Sequence, residues 1–286
     1  MVRTGVITDE LWELVEPALP CGVGRQGRPW RDHRQVLEAI AWRFQTGCPW
    51  RDVPAEFGPW QTLWKRHRRW STDGTYQRIF EQVLALQDNA GKLDWLLSVD
   101  STIVRAHQHA AGAPRASRQG AEPNDKIPEP DDHGIGRSRG GLTTKIHALI
   151  DGGVRPVTVV VSAGQAGDNP RLVPLLDTLA QTNHRAEHLL ADKAYSHPCT
   201  RRELRRRRIR HTIPERTDQV AHRKSKGSAG GRPPKFDPEL YKQRNTVERG
   251  FGRFKQWRGI ATRYDKYART YLGEVLLAAT VILTRP

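Results

Sequence analysis

Apolar residues in the first ninety positions recur every three to four places, the period of helices that bury one face. Leu11, Leu14, Val15 and Leu19 make one such stripe, and Thr8 stands where it can cap the N-terminal end. Residues 20–29 are rich in Gly and Pro and break the pattern. A second helix is expected over 32–45, where Val36, Leu37, Ile40, Ala41 and Phe44 share a side, and Gly47 ends it. The stretch 49–58 reads as a short helix closed by a glycine turn, and 59–70 as a helix bearing Lys65, Arg66, Arg68 and Arg69. That order is the helix-turn-helix arrangement, which makes the four cations candidates for reading a DNA groove. Trp42, Trp50, Trp60 and Trp64 fall at helical spacing too, so a purely structural core is the competing reading. A helix over 76–86, with Ile79, Phe80, Val83 and Leu84 on one side, closes the bundle.

Beyond residue 92 the pattern changes to that of strands. Residues 96–104, 143–150 and 154–161 read as β segments, the last two joined by the hairpin-like Asp151-Gly152-Gly153. A helix over 170–181, a strand over 188–191, a helix over 198–207 and a short strand over 209–213 follow. Residues 241–255 then separate onto two faces of one helix: Leu240, Val247, Phe251 and Phe254 on the apolar side, Tyr241, Arg244, Glu248 and Lys255 on the polar side. A last helix over 267–283 turns Leu272, Val275, Leu276, Ala279, Ile282 and Leu283 toward the sheet. Three strands, then alternating helices and strands, then a helix with a carboxylate is the order of ribonuclease-H-like folds. The expected class is α+β: a helical, helix-turn-helix-like domain over 1–92 and a ribonuclease-H-like mixed-sheet domain over 93–286. Two stretches, 109–141 and 217–235, are rich in Gly, Pro and Ser and read as mobile loops. Glu122, Asp125, Glu129, Asp131 and Asp132 in the first of them read as solvated.

Charge narrows the partner. The 286 residues carry a formal charge of +16 with a pI near 10.3, too basic for a typical metabolic enzyme and suited to a polyanion. From Arg201 to Arg263, 20 Lys and Arg stand against 6 Asp and Glu, so this segment alone carries +14. Nucleic acid is the first candidate and an anionic membrane surface the second. The apolar run at 275–283 is far short of the roughly 20 residues that cross a bilayer, which argues against a membrane partner. The acidic start (Asp9, Glu10, Glu13) is unlike a secretory signal, so the expected place is the cytoplasm. Cys21, Cys48 and Cys199 are too few and too scattered for a disulfide framework or a zinc site.

Three carboxylates fit that partner. Asp100 and Asp192 each end a strand-like run, and Glu248 lies on the polar helix face, a set of hard oxygen donors able to share two divalent cations. Arg244 and Lys255, a turn before and two turns after Glu248, suit phosphate binding. Arg244 can also pair with Glu248 within the helix. Tyr241 can hydrogen-bond a phosphate, stack on a base or simply pack. Lys193 and Tyr195, beside Asp192, are further candidate DNA contacts.

The spacing Tyr241-x2-Arg244-x3-Glu248-x6-Lys255 resembles the Tyr-Arg-Glu-Lys signature of bacterial insertion-sequence transposases of the Asp-Asp-Glu type, families four and five. Val99-Asp100-Ser101-Thr102 and Ala191-Asp192-Lys193-Ala194-Tyr195 are similar to the two aspartate motifs of that group. Trp50-Arg51-Asp52-Val53-Pro54 and Arg139-Gly140-Gly141-Leu142-Thr143-Thr144-Lys145 resemble family-five members, so the likeness spans nearly the whole chain. The resemblance implies that Asp100, Asp192 and Glu248 are catalytic and hold two Mg²⁺ ions, with Mn²⁺ able to substitute and Asp100 between them. It implies cleavage at the ends of a mobile element and joining of the 3′-hydroxyl ends to target DNA. The implied partners are double-stranded DNA, as terminal inverted repeats and target, and further copies of the chain in a dimer or larger synaptic assembly, within a bacterial cytoplasm. Two rivals share the fold: a metal-dependent nuclease that cuts without joining, and a DNA-binding protein derived from a transposase. An RNA-binding protein would account for the charge and leave the carboxylates unexplained.

Overall fold

The computed structural model describes residues 5–21, 29–112 and 126–285. Four helices come first: α1 (Asp9–Val15), α2 (His33–Thr46), α3 (Trp60–Thr72) and α4 (Thr75–Asn89). Their ends follow from local chemistry. Thr8 Oγ1 accepts from the Leu11 amide and Asp32 Oδ1 from the Gln35 amide, while Gly47, with φ 71°, closes α2 in the left-handed region that suits glycine. The short helix expected over 49–58 is instead a pair of 3₁₀ turns, Trp50–Asp52 and Ala55–Phe57, because Pro49 and Pro54 each start a new turn.

The second part runs β1 (Leu96–Ala106), α5 (Gln108–Ala111), β2 (Gly136–Ser138), β3 (Gly141–Ile150), β4 (Pro156–Ala163), α6 (Leu172–Gln181), β5 (His188–Ala191), α7 (Pro198–Arg206), β6 (Arg210–Thr212), α8 (Thr217–Ser225), α9 (Pro238–Lys242), α10 (Asn245–Lys255), α11 (Arg258–Ala261), β7 (Thr262–Arg263) and α12 (Ala268–Thr284). The five principal strands lie in the order β4-β3-β1-β5-β6, with β3 antiparallel to both its neighbours and β5 and β6 parallel to β1. That arrangement, a three-strand meander extended by two parallel strands on the other side of the first, is the ribonuclease-H-like fold. The short β2 and β7 pair with β3 and β1 at its margin.

The β3–β4 connection is longer than a two-residue hairpin. Buried Asp151 accepts from the Arg155 amide and its own amide donates to the Arg155 carbonyl, which holds Val154 at φ 65° despite its branched side chain. The stretches read as mobile loops also carry structure. Residues 217–235 contain α8 and a 3₁₀ turn, Gly227–Gly230. Residues 126–141 form a strap: the amides of Lys126 and Ile127 donate to the Thr72 carbonyl, and Glu129 accepts from the amides of Ala268 and Arg269 at the start of α12. Glu129 is therefore a helix cap rather than a solvated carboxylate, while Asp131 and Asp132 are exposed as expected. Glu122 and Asp125 lie outside the described residues, as does most of the 20–29 break.

One hydrophobic cluster runs from Val6 to Leu283 and joins the N-terminal helices to the sheet. Its centre is α12, buried along nearly its whole length, with β4 against one side and α3 and α4 against another. α12 covers the sheet as expected, and its other sides are buried as well: a helix apolar all round is a helix covered all round. No helix among the described residues is long and apolar enough to cross a membrane.

At the heart of the α2–α3–α12 junction lies a polar cluster. His67, Asp265 and Glu274 bring ligand-type atoms within 4.8 Å of one another, and the Arg43 guanidinium stands 3.5 Å from Glu274 and 3.7 Å from Asp265. Burial drives the Glu274 carboxyl well above its usual range. It also pushes Asp265 up, but the proton shared from Glu274 and the Arg43 charge bring Asp265 below the ordinary value. The group is thus a compensated ion pair with one neutral acid and one neutral histidine, already holding its own cation.

Candidate active site

The register of the sheet brings two of the three carboxylates together. Val99 of β1 pairs in parallel with Ala191 of β5, so Asp100 and Asp192 are the next residues along two neighbouring strands, near enough for Asp192 to repel the Asp100 carboxylate. Asp192 then turns out of the strand and caps a 3₁₀ turn, accepting the Ala194 amide at 2.8 Å. The third carboxylate comes from α10, which packs on β1 and β3. Its fit depends on two contacts: buried Thr246 donates to Ser98 Oγ at 3.1 Å, and Gly250 lies so close to the sheet that a Cβ there would meet Ile150 at 3.0 Å. Glu248, between them in sequence, is directed outward and is exposed.

The predicted continuous helix over 241–255 is broken. α9 ends at Lys242, and α10 begins after Arg244, with bonds from Thr246 to Gln243 and from Val247 to Arg244 tightening the joint. Arg244 at that joint reaches two carboxylates at once, donating from Nη1 to Asp100 Oδ2 and from Nη2 to Glu248 Oε1, each at 2.8 Å. Burial pulls the guanidinium down, yet the bond to Asp100 and the charges of Asp100, Tyr241 and Glu248 together outweigh this and hold it above its ordinary value. Asp100 moves the other way. Burial pushes its carboxyl above the usual range, the Ser101 amide and Arg244 draw it back in part, and Asp192 adds repulsion.

The remaining candidates separate into two groups. Lys193, Lys255, Lys65, Arg68 and Arg69 are exposed, with Arg69 also 3.8 Å from Asp73, and Tyr241 is half-buried against Phe236, with ring centroids 5.2 Å apart. Tyr195 and Arg66 are corrected. Tyr195 is fully buried, its hydroxyl without a hydrogen-bond partner, and burial together with Asp100, Asp168 and Asp192 pushes its pKa well above the ordinary value. Arg66 is buried too, bonded to His33 and stacked 4.5 Å from Trp30. Neither is surface for DNA: the α3 periodicity turns Arg66 to the same side as Leu63 and Trp70.

Asp168 is the neighbour that periodicity alone passes over. It lies in the loop after β4, where its Oδ1 accepts from Ser101 Oγ at 2.6 Å and from Lys145 Nζ at 2.9 Å. Burial raises it, but those two bonds win and its carboxyl sits below the usual range. Asp100 and Ser101 point to opposite faces of β1, so this pair braces the back of the strand whose front carries Asp100. Its sequence signal is Lys145, at the end of the Arg139–Lys145 motif.

Comparison with known proteins decides the family. A family model described as "Transposase DDE domain" matches residues 91–283. The chain belongs to the DDE transposase family. A second model, "Putative transposase of IS4/5 family", matches residues 7–80 of this transposase. Among its relatives, the "Putative transposase for insertion sequence element IS6501" of Brucella ovis is 30% identical over 50% of this chain and 100% of that protein. The "Insertion element IS402 uncharacterized 16.2 kDa protein" of Burkholderia cepacia is 39% identical over 35% of this chain and 74% of its own length. The transposase also overlays on a chain of the pre-cleavage Mos1 transpososome at a TM-score of 0.27 and 12% identity, covering 98% of this chain and 86% of that one. So loose an overlay fixes no residue equivalence. DDE transposase domains are dependent on divalent metal, and Asp100, Asp192 and Glu248 offer an all-oxygen donor set suited to such a hard cation.

Proposed function

We propose that this transposase cuts the ends of an insertion sequence and joins the freed 3′-hydroxyls to target DNA, with Asp100, Asp192 and Glu248 as its catalytic carboxylates. What supports this reading is the Arg244 guanidinium bonded at once to Asp100 of β1 and Glu248 of α10, with Asp192 following the β5 residue that pairs beside Asp100. The three would hold two Mg²⁺, or Mn²⁺ in its place. When bound, such a pair lowers the cost of deprotonating the attacking oxygen and of charging the leaving one.

In the first step a water oxygen bonds to phosphorus at the element's end, its proton passing to solvent, and the bond from phosphorus to the 3′ oxygen breaks to leave a 3′-hydroxyl. In the second that hydroxyl bonds to a target phosphorus and displaces a target 3′ oxygen, an exchange of one phosphodiester for another. The chain's part is to hold the phosphates in line: Arg244 through its fork, Lys193 beside Asp192 and Lys255 two turns beyond Glu248 as point charges. We read residues 1–92 as the DNA-binding domain, with Lys65, Arg68 and Arg69 of α3 toward the duplex, and 93–286 as the catalytic domain. Terminal inverted repeats and target DNA are the partners, two ends call for paired copies of the chain, and the bacterial cytoplasm, at the nucleoid, is where they meet.

A labelled duplex carrying the element's own terminal repeat, incubated with Mg²⁺ and a second DNA, tests this. Metal-dependent 3′ cleavage and strand transfer, both absent in Asp100→Asn and Glu248→Gln, are expected. Cleavage with no joining would make the chain a nuclease, and binding with no cleavage would leave a DNA-binding derivative.

A further inference from the structure

Arg244 has a position that phosphate binding alone does not explain. It stands at the N-terminal end of α10, where the helix dipole favours anions and disfavours a cation. Its charge is answered instead by Asp100 and Glu248. The arrangement engages both Asp100 oxygens: Oδ1 accepts the Ser101 amide at 2.8 Å and Oδ2 accepts Arg244 Nη1 at 2.8 Å. The Arg244 and Asp100 side chains are only 17% and 26% exposed, so water screens their attraction much less than it would a surface pair. A divalent cation entering between Asp100 and Glu248 meets both occupied ligand atoms and a fixed positive charge.

We propose that Arg244 is a surrogate cation in the DNA-free protein, holding the carboxylates closed to metal until a phosphate of the docked duplex draws its guanidinium away. This rests on the reading of Asp100, Asp192 and Glu248 as metal ligands. A phosphate is the natural receiver, since it offers the same two-oxygen edge to the same planar fork as a carboxylate pair does. Metal and DNA then bind cooperatively. Linkage makes the effect reciprocal: whatever factor DNA adds to metal affinity, metal adds to DNA affinity.

Mn²⁺ titrations followed by the electron paramagnetic resonance of the free ion, on the full chain with and without a short duplex, test the proposal without reference to turnover. Without DNA, Arg244→Gln should bind Mn²⁺ more tightly than the wild type, by about 5- to 150-fold if the coupling is of the usual size. The duplex should raise wild-type Mn²⁺ affinity by more than it raises that of Arg244→Gln, because direct ligation by phosphate persists in both and release of Arg244 operates only in the first. Arg244→Lys keeps the charge and loses the fork, and should lie between them. It decides the matter if thermal melting shows that the glutamine variant does not fold. Equal or weaker Mn²⁺ binding by the Arg244 variants, with Asp100→Asn reducing it, overturns the surrogate role. Mn²⁺ binding unchanged by Asp100→Asn would instead overturn the assignment of the ligands themselves.

Discussion

Side chains in this protein divide by whether their partners are near or far in sequence. Asp100, Asp192 and Glu248 could be picked out from the strand-like runs that lead into the two aspartates and from a polar helix face, because alternation and helical spacing are local properties, although β1 runs on six residues past Asp100 to Ala106. Tyr195 and Arg66 could not be judged that way, since only the folded chain covers them. His147 belongs to the same class. It is buried with Nε2 2.7 Å from Ser162 Oγ, and burial, aided by Lys145 and Arg171 and opposed by Asp168, pushes its pKa down to about 4. The unfolded chain, with an ordinary histidine near 6.5, takes up the proton first as pH falls. Its contribution to stability is therefore complete above pH 6.5 and is lost toward pH 4, by up to about 3 kcal/mol. His67, also pushed to about 4 by burial, acts in the same sense, and Glu274, pushed up by burial, in the opposite one. Both persist in His147→Gln, so the melting temperature of that variant should fall less steeply between pH 6.5 and 4 than that of the wild type. Parallel curves would remove His147 from the account.

Among the elements, α10 carries the most consequence. Its apolar residues and its carboxylate were legible from spacing, but its start was not, because the joint at Gln243 and Arg244 is made by hydrogen bonds that tighten the turn rather than by a proline or glycine. Its seating on β3 was not legible either. At Gly250 a Cβ would press on three carbons of Ile150 at 3.0 to 3.2 Å, whereas at Gly252, two residues on, it would meet nothing within 4 Å. Gly250→Val should destabilise the fold by about 1–3 kcal/mol and shift Glu248 enough to weaken Mn²⁺ binding. Gly252→Ala should stabilise it by about 0.5–1 kcal/mol through the lower entropy of the unfolded chain. Denaturant melts of the two variants, with Mn²⁺ titration of the first, check both. The loop stretches teach a related lesson. Composition marked 217–235 and 109–141 as irregular, and their Gly and Pro content is real, yet Glu129 capping α12 and amides bonded to Thr72 order residues 126–141 through contacts more than fifty residues away.

Across the whole molecule, the helical unit and the sheet share one core with α12 between them, and Arg43, Asp265 and Glu274 meet where they join. Arg43 is 4% exposed and Glu274 not at all, so removing the cation strands Asp265 beside a buried acid. Arg43→Ala should cost roughly 3–5 kcal/mol, the toll of breaking a buried pair from one side. Limited proteolysis should then release the N-terminal helices from the rest of the chain, and an unchanged cleavage pattern and melting temperature would show that the junction is held by its apolar contacts alone.

Sequence by itself determined the order of helices and strands, the basic charge, the aspartates carried by strand-like runs and the polar face of α10, because each is written in local periodicity, composition or spacing. Tertiary structure alone decided that β1 and β5 lie side by side, that Arg244 closes on Asp100, 144 residues away in the chain, and that Asp168 braces the strand from behind. Those are consequences of strand register and long-range packing, in which the energy of a contact depends on where the fold places both partners, information that no window of neighbouring residues contains.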